Sequence, residues 1–102
     1  MEGRAPLVIH VHEHPPPEVP VGALHTVRIS VEDEGVEIVH CTADYLDPDG
    51  QRCAQVQAVA TPDRPAQMAG RFTRAGMARV VVRGVTGQGV SAERELEVRV
   101  RP

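Results

Sequence analysis

A chain of 102 residues is the size of one compact domain and leaves no room for two cores. Apolar residues make up 41% of it, yet Phe72 and Tyr45 are the only aromatics, so Val, Leu, Ile, Ala and Met must fill a thin core whose β-branched content favours strands. Eleven Arg against fourteen acids, with no Lys and a formal net charge of −3, exclude a basic stripe for nucleic acid, because the Arg residues alternate with Glu along the same segments.

Met1 to Pro6 lacks the apolar stretch of an export signal, and no run approaches membrane-spanning length. The expectation is a chain that stays where it is made and has no membrane partner. From Leu7 to His14 the residues alternate, with Leu7, Ile9 and Val11 on one side and His10, His12 and His14 on the other, the period-two signature of a first strand. Pro15-Pro16-Pro17 ends it, and an extended polyproline segment should run to Pro20. From His25 the second strand places Val27, Ile29 and Val31 inward and Arg28, Ser30 and Glu32 outward, up to the Asp33-Glu34-Gly35 turn.

A third strand from about Val36 to Tyr45 and a fourth from about Arg52 to Ala60 flank Asp47-Pro48-Asp49-Gly50, a strong turn signal. Val39, Cys41, Ala43 and Tyr45 form the apolar face of one, and Ala54, Val56, Ala58 and Ala60 that of the other. The two sets share a face only across a loop with an even number of residues; four residues pair Leu46 with Gln51 and Cys41 with Val56. After a Pro-containing loop the fifth strand turns Met68, Gly70 and Phe72 inward and ends at Ala75-Gly76. The sixth, Ala78 to Val85, turns Val80 and Val82 inward. Past Gly87-Gln88-Gly89 the last strand has Leu96, Val98 and Val100 inward against Glu95, Glu97, Arg99 and Arg101. Seven strands with regular turn signals and no helical period point to a sandwich or small barrel.

Gly70-Arg71-Phe72-Thr73, Ala75 to Val85, Gly87-Gln88-Gly89 and the alternating Glu95 to Arg101 tail together resemble the penultimate hairpin and closing strand of bacterial and bacteriophage immunoglobulin-like domains, the polycystic-kidney-disease and fibronectin-III types included. The resemblance spans roughly residues 19–101. It departs from true immunoglobulin domains in having no Trp beneath an inter-sheet cystine, and from the polycystic-kidney-disease type in lacking its aromatic mid-chain segment. The expected fold is all-β, a seven-stranded antiparallel immunoglobulin-like sandwich over residues 21–102, with an N-terminal strand and extended Pro-rich arm over residues 1–20. The resemblance implies an adhesion, spacer or virion-surface module.

With Cys41 opposite Val56, Cys53 falls opposite Asp44 on the other face, which puts the sulfurs on opposite sides of the sheet and predicts two free thiols. Cys41 reads as a small buried hydrophobe and Cys53 as accessible; unbridged thiols suit an intracellular setting. His10, His12 and His14 are the metal candidates, because imidazoles at alternate positions share a face. Neighbouring pairs lie roughly 6.5 to 7 Å apart at Cα, close enough for two to converge and too straight for three, so a polar, pH-sensitive edge strand competes with the metal reading. Asp33, Glu34, Asp47 and Asp49 could ligate calcium, but turn chemistry accounts for them. Ser30 and Ser91 lie outside any nucleophile motif and no phosphate loop opens a helix, so neither catalysis nor a cofactor is expected. Arg79 and Arg83 should pair across strands with Glu95 and Glu97, for solubility.

The functional expectation is therefore a non-catalytic structural or interaction module whose partners are other protein subunits of a larger assembly, capsid or tail proteins of a bacteriophage among them, with homo-oligomers allowed and nucleic acid excluded. It would be made in the host cytoplasm and end in the virion. Two alternatives compete: an adhesion or spacer domain of a longer bacterial surface protein, and a small metal-binding protein built on the histidine strand.

Overall fold

The computed structural model describes residues 8–11, 18–32, 38–61, 63–87 and 89–102. Among them are eight strands: β1 (Val8–Val11), β2 (Glu18–Pro20), β3 (Leu24–Glu32), β4 (Val39–Leu46), β5 (Arg52–Ala60), β6 (Ala66–Arg71), β7 (Gly76–Thr86) and β8 (Ser91–Arg101). They form two sheets, one of three strands ordered β1-β3-β6 and one of five ordered β2-β8-β7-β4-β5. The core lies between them, where Val27, Ile29, Val39, Cys41, Ala43, Tyr45, Met68, Phe72, Val80, Val82, Val98 and Val100 are all buried. The alternation that the sequence displays along these strands is the alternation the burial follows.

Two expectations need correction. The sandwich has eight strands among the described residues and is mixed: β2 pairs in parallel with β8, with Val19 opposite Val100. The chain leaves β1, which is antiparallel to β3 in the small sheet, and continues as the outermost strand of the large one. A polyproline reading missed β2 because Pro20 has no N–H to give, yet an edge strand tolerates that loss and Val19 still buries its side chain. The strip is closed by Val21 N–H donating to the Arg101 carbonyl at 2.9 Å and by the Glu18–Arg101 ion pair at 3.5 Å. The described parts of the expected arm thus belong to the two sheets; Pro15-Pro16-Pro17, His12 and His14 lie outside the described residues.

The second correction is one of register. Cys41 faces Ala58 and Tyr45 faces Ala54, two residues from the expected pairing, while Leu46 faces Arg52. The hairpin therefore closes over an odd number of residues, and a bulge that sets Cys53 between two ladder pairs restores the parity. The apolar faces coincide as required, through a turn plus a bulge in place of an even loop. Asp47 to Gly50 is that turn: Gly50 N–H donates to the Asp47 carbonyl at 2.8 Å, and Gly50 sits at φ +86°, where a side chain would be strained.

Candidate interaction surface

Among the described residues, no three of the predicted site residues gather in one place. His10 lies exposed on β1 opposite Ser30, and His12 and His14 lie outside the described residues. His25 is in the core on β3 and His40 is exposed on the outer face of β4. No group of three or more His, Cys, Asp or Glu among the described residues could hold a metal ion. Asp33 and Glu34 are outside the described residues as well.

The acids of the β4–β5 turn are engaged internally. Asp47 is buried, and its carboxylate accepts from the Thr73 hydroxyl, from Thr73 N–H at 3.0 Å and from Arg74 N–H at 3.3 Å. Burial alone would raise this carboxyl; the donors from Thr73, Cys53 and Arg74 outweigh it and hold the group below the ordinary aspartate range. Asp49 accepts from Gln51 N–H at 3.1 Å and sits 3.7 Å from the Arg74 guanidinium. The cluster locks the turn to the segment that follows β6, one end of the sandwich.

Both cysteines are free. Cys41 points into the core, where burial pushes its thiol up. Cys53, half-buried at the bulge, has the Tyr45 carbonyl at 3.3 Å and the Arg71 carbonyl at 3.4 Å within reach of its S–H, and burial followed by the Asp47 charge raises it. Neither is an activated thiolate.

The aromatic centre was not foreseen. Tyr45 reaches from β4 across the core, and its ring meets Phe72 edge to face at 5.4 Å and His25 at 5.7 Å. His25 is 1% exposed with neither ring nitrogen hydrogen-bonded, its ring set steeply against those of Tyr45 and Phe72. Burial lowers its pKa, so it is a neutral core residue. Its two-residue spacing from Val27 was the only signal in the sequence.

The outer face of the large sheet divides into two regions. Across β7 and β8 it is charged: Arg83 donates to Glu93 at 2.9 Å and Arg79 to Glu95 at 3.3 Å, diagonal to the Glu97 that stands directly opposite. Towards β4 and β5 the charge thins to the Asp44–Arg52 pair among His40, Thr42, Gln55, Gln57 and Val59, with Ile38 just before β4. Ile38 is 49% and Val59 46% exposed, and a shallow hollow of about 260 Å³ runs between β4 and β5 over His40, Thr42, Gln57 and Val59. At the opposite edge a groove of about 470 Å³ passes over Glu18, Met77, Arg99 and Arg101, with Met77 half-exposed.

The two packed sheets form a mixed β-sandwich of immunoglobulin-like fold. No protein-family profile and no curated protein sequence matches the chain. Among solved structures it is similar to an engineered protein at a TM-score of 0.68 and 18% identity, over 98% of this chain and 21% of that one. A lipoprotein from Bacteroides thetaiotaomicron matches at 0.64 and 12%, over 97% and 83% of the two chains. The CARDB domain of a Pyrococcus furiosus protein, solved in complex with di-metal ions, matches at 0.57 and 17%, over 93% and 87%. The chain thus spans about a fifth of the engineered protein and most of the other two. At these identities the likeness is one of fold.

Proposed function

We propose that the chain is a non-catalytic structural and interaction module that docks with other protein subunits of a larger assembly. One observation carries the reading: the turn carboxylate of Asp47 and the core hydroxyl of Tyr45 are engaged within the fold, while large apolar side chains stand in solvent. Asp47 is held by Thr73 and Arg74, and Tyr45 by the His25 carbonyl. Against this, Val21, Leu24, Ile38, Val59 and Met77 are each between 39% and 55% exposed. In a protein with so thin a core, such side chains gain most from a partner that covers them. The narrower form of the proposal is a decoration or tail-associated subunit of a bacteriophage virion.

The test is to isolate, from its source, the particle or complex that contains the chain and to photo-cross-link it from a probe at position 59, since the chain has no Lys for amine reagents. The module reading expects a fixed stoichiometry with structural subunits and a cross-link to one of them. Recovery only as a free 11.0 kDa species would sink it. A zinc titration followed by the His resonances separates off the metal-binding alternative: saturable shifts of His10, His12 and His14 together would favour that reading.

A further inference from the structure

β5 is the edge strand of the large sheet, with β6 of the small sheet packed beside its inward face, and its sequence is self-complementary. Among the described residues β4 is its only ladder partner, and no backbone bond from Arg52–Ala60 reaches past β4. Alternate residues of such a strand turn their N–H and C=O groups away from the sheet, a template for another strand. Edges are usually guarded by charge, Pro or shortness. The other edge of this sheet is so guarded, since β2 has three residues and two of them are Glu18 and Pro20. β5 has nine residues, neither Pro nor Gly, and Arg52 at its start as its one charge. Arg52 lies 3.6 Å from Asp44.

Within β5, Ala54-Gln55-Val56-Gln57-Ala58 reads the same in both directions. From this the geometry points to a second copy of the chain as the occupant: two β5 strands pair antiparallel about a two-fold axis at Val56, merging two large sheets into one continuous sheet. A two-fold interface has to be complementary to itself. Here Val56 meets Val56, Ala54 meets Ala58, and Gln55 meets Gln57 of the other copy, so inward residues face inward residues and outward face outward. Gln55 donates to Asp44 at 2.8 Å, which leaves its amide oxygen directed to accept from the facing Gln57. Arg52, the one charge of β5, lies beyond the bulge at Cys53 and so outside the pairing stretch, and no like charges oppose one another. The bulge at Cys53 and the Thr61–Arg64 bridge bound the pairing stretch at its two ends.

The inference rests on the reading of the chain as an interaction module and names one of its partners. One strand pair is a small interface, so the dimer should be weak and concentration-dependent. The experiment is sedimentation equilibrium of the full chain from micromolar to millimolar concentration, with two double variants at exposed positions that leave the core untouched. The unaltered chain should shift from monomer towards dimer, with amide resonance changes on dilution confined to β5. Gln55→Glu with Gln57→Glu sets carboxylates against carboxylates across the axis and should abolish the dimer at pH 7. Gln55→Lys with Gln57→Glu sets opposite charges against each other and should restore it. A chain that stays monomeric at millimolar concentration overturns the inference, as does a dimer indifferent to the Glu/Glu pair. A monomeric chain that still holds fixed stoichiometry in its native assembly overturns the self-pairing and leaves the module reading standing. A β5 dimer never found with other subunits supports the self-pairing and removes the larger assembly.

Discussion

The Tyr45 hydroxyl on β4 donates a 2.7 Å hydrogen bond to the His25 carbonyl on β3, so that one side chain ties the five-stranded sheet to the three-stranded one. The ring that carries the hydroxyl passes over Gly70, which pairs with His25 in the small sheet. A Cβ at Gly70 would stand 2.6 Å from Cδ1 and 2.7 Å from Cε1 of Tyr45.

Gly70→Ala should therefore destabilise the domain by about 1–3 kcal/mol, because a buried ring with Phe72 and His25 against it has no room to retreat. At this chain length each kcal/mol should read as roughly 4–8 °C in Tm. Tyr45→Phe keeps the ring and removes the inter-sheet bond, and should lose about 1 kcal/mol. Burial pushes the Tyr45 hydroxyl up to about 12, so the phenolate absorbance should appear only in strong alkali. Thermal melts of the two variants and an alkaline titration check these values; Gly70→Ala melting with the unaltered chain would refute the close approach.

Stability should fall as pH drops below about 6.5, and His25 should be responsible. Its folded pKa lies below the unfolded value, so between the two the unfolded chain binds the extra proton and acid favours unfolding. Above the unfolded pKa the neutral ring carries no such penalty. Urea midpoints from pH 7.5 to 4.5 should decline for the unaltered chain and much less for His25→Leu. The other four histidines are present in both proteins and cancel in the comparison, so parallel profiles would contradict the assignment.

Asp47 governs a separate, more acidic window. Its folded pKa lies below the ordinary aspartate value of 3.8, so its contribution is complete above that value and is lost as pH falls through the folded pKa. Asp47→Ala removes the acceptor for Thr73 and Arg74 and should cost about 1.5–3 kcal/mol near neutrality, with the difference from the unaltered chain narrowing below about pH 3.8. Denaturant titrations at pH 7 and pH 3 measure it. An equal difference at both would mean the carboxylate charge is irrelevant to the cluster.

The two thiols should differ in reactivity under native conditions. Cys53, half-buried and raised by burial and by the Asp47 charge, should react slowly with a disulfide reagent at pH 8. Cys41 should react only when denaturant opens the core. Mass mapping of the modified peptides decides the order, and equal rates for both would show that the β4–β5 layer opens readily.

Much of this fold was legible because a strand repeats every two residues and one face must leave water. That alone places Val27 and Ile29, the alternate residues Val39, Cys41, Ala43 and Tyr45, Val80 and Val82, and Val98 and Val100 on the core side. Parity also required the β4 and β5 faces to coincide, and they do. Alternation is blind to the bulge at Cys53, since two routes of the same parity look alike in one dimension. It is equally blind to β2, because Pro20 disqualifies a central strand and says nothing against an edge.

What the order of residues decided by itself is the local grammar: which side chains turn inward, where Gly and Pro turn the chain, and the palindrome in β5. Which strand became an edge, and which distant groups met, only the packing of two sheets could decide. Asp47 finds Thr73 across twenty-six positions and Tyr45 finds His25 across twenty, contacts set by where the sheets cross and not by spacing along the chain. Solvent selects faces one residue at a time, whereas an edge or an inter-sheet hydrogen bond exists only once every strand has chosen its neighbour.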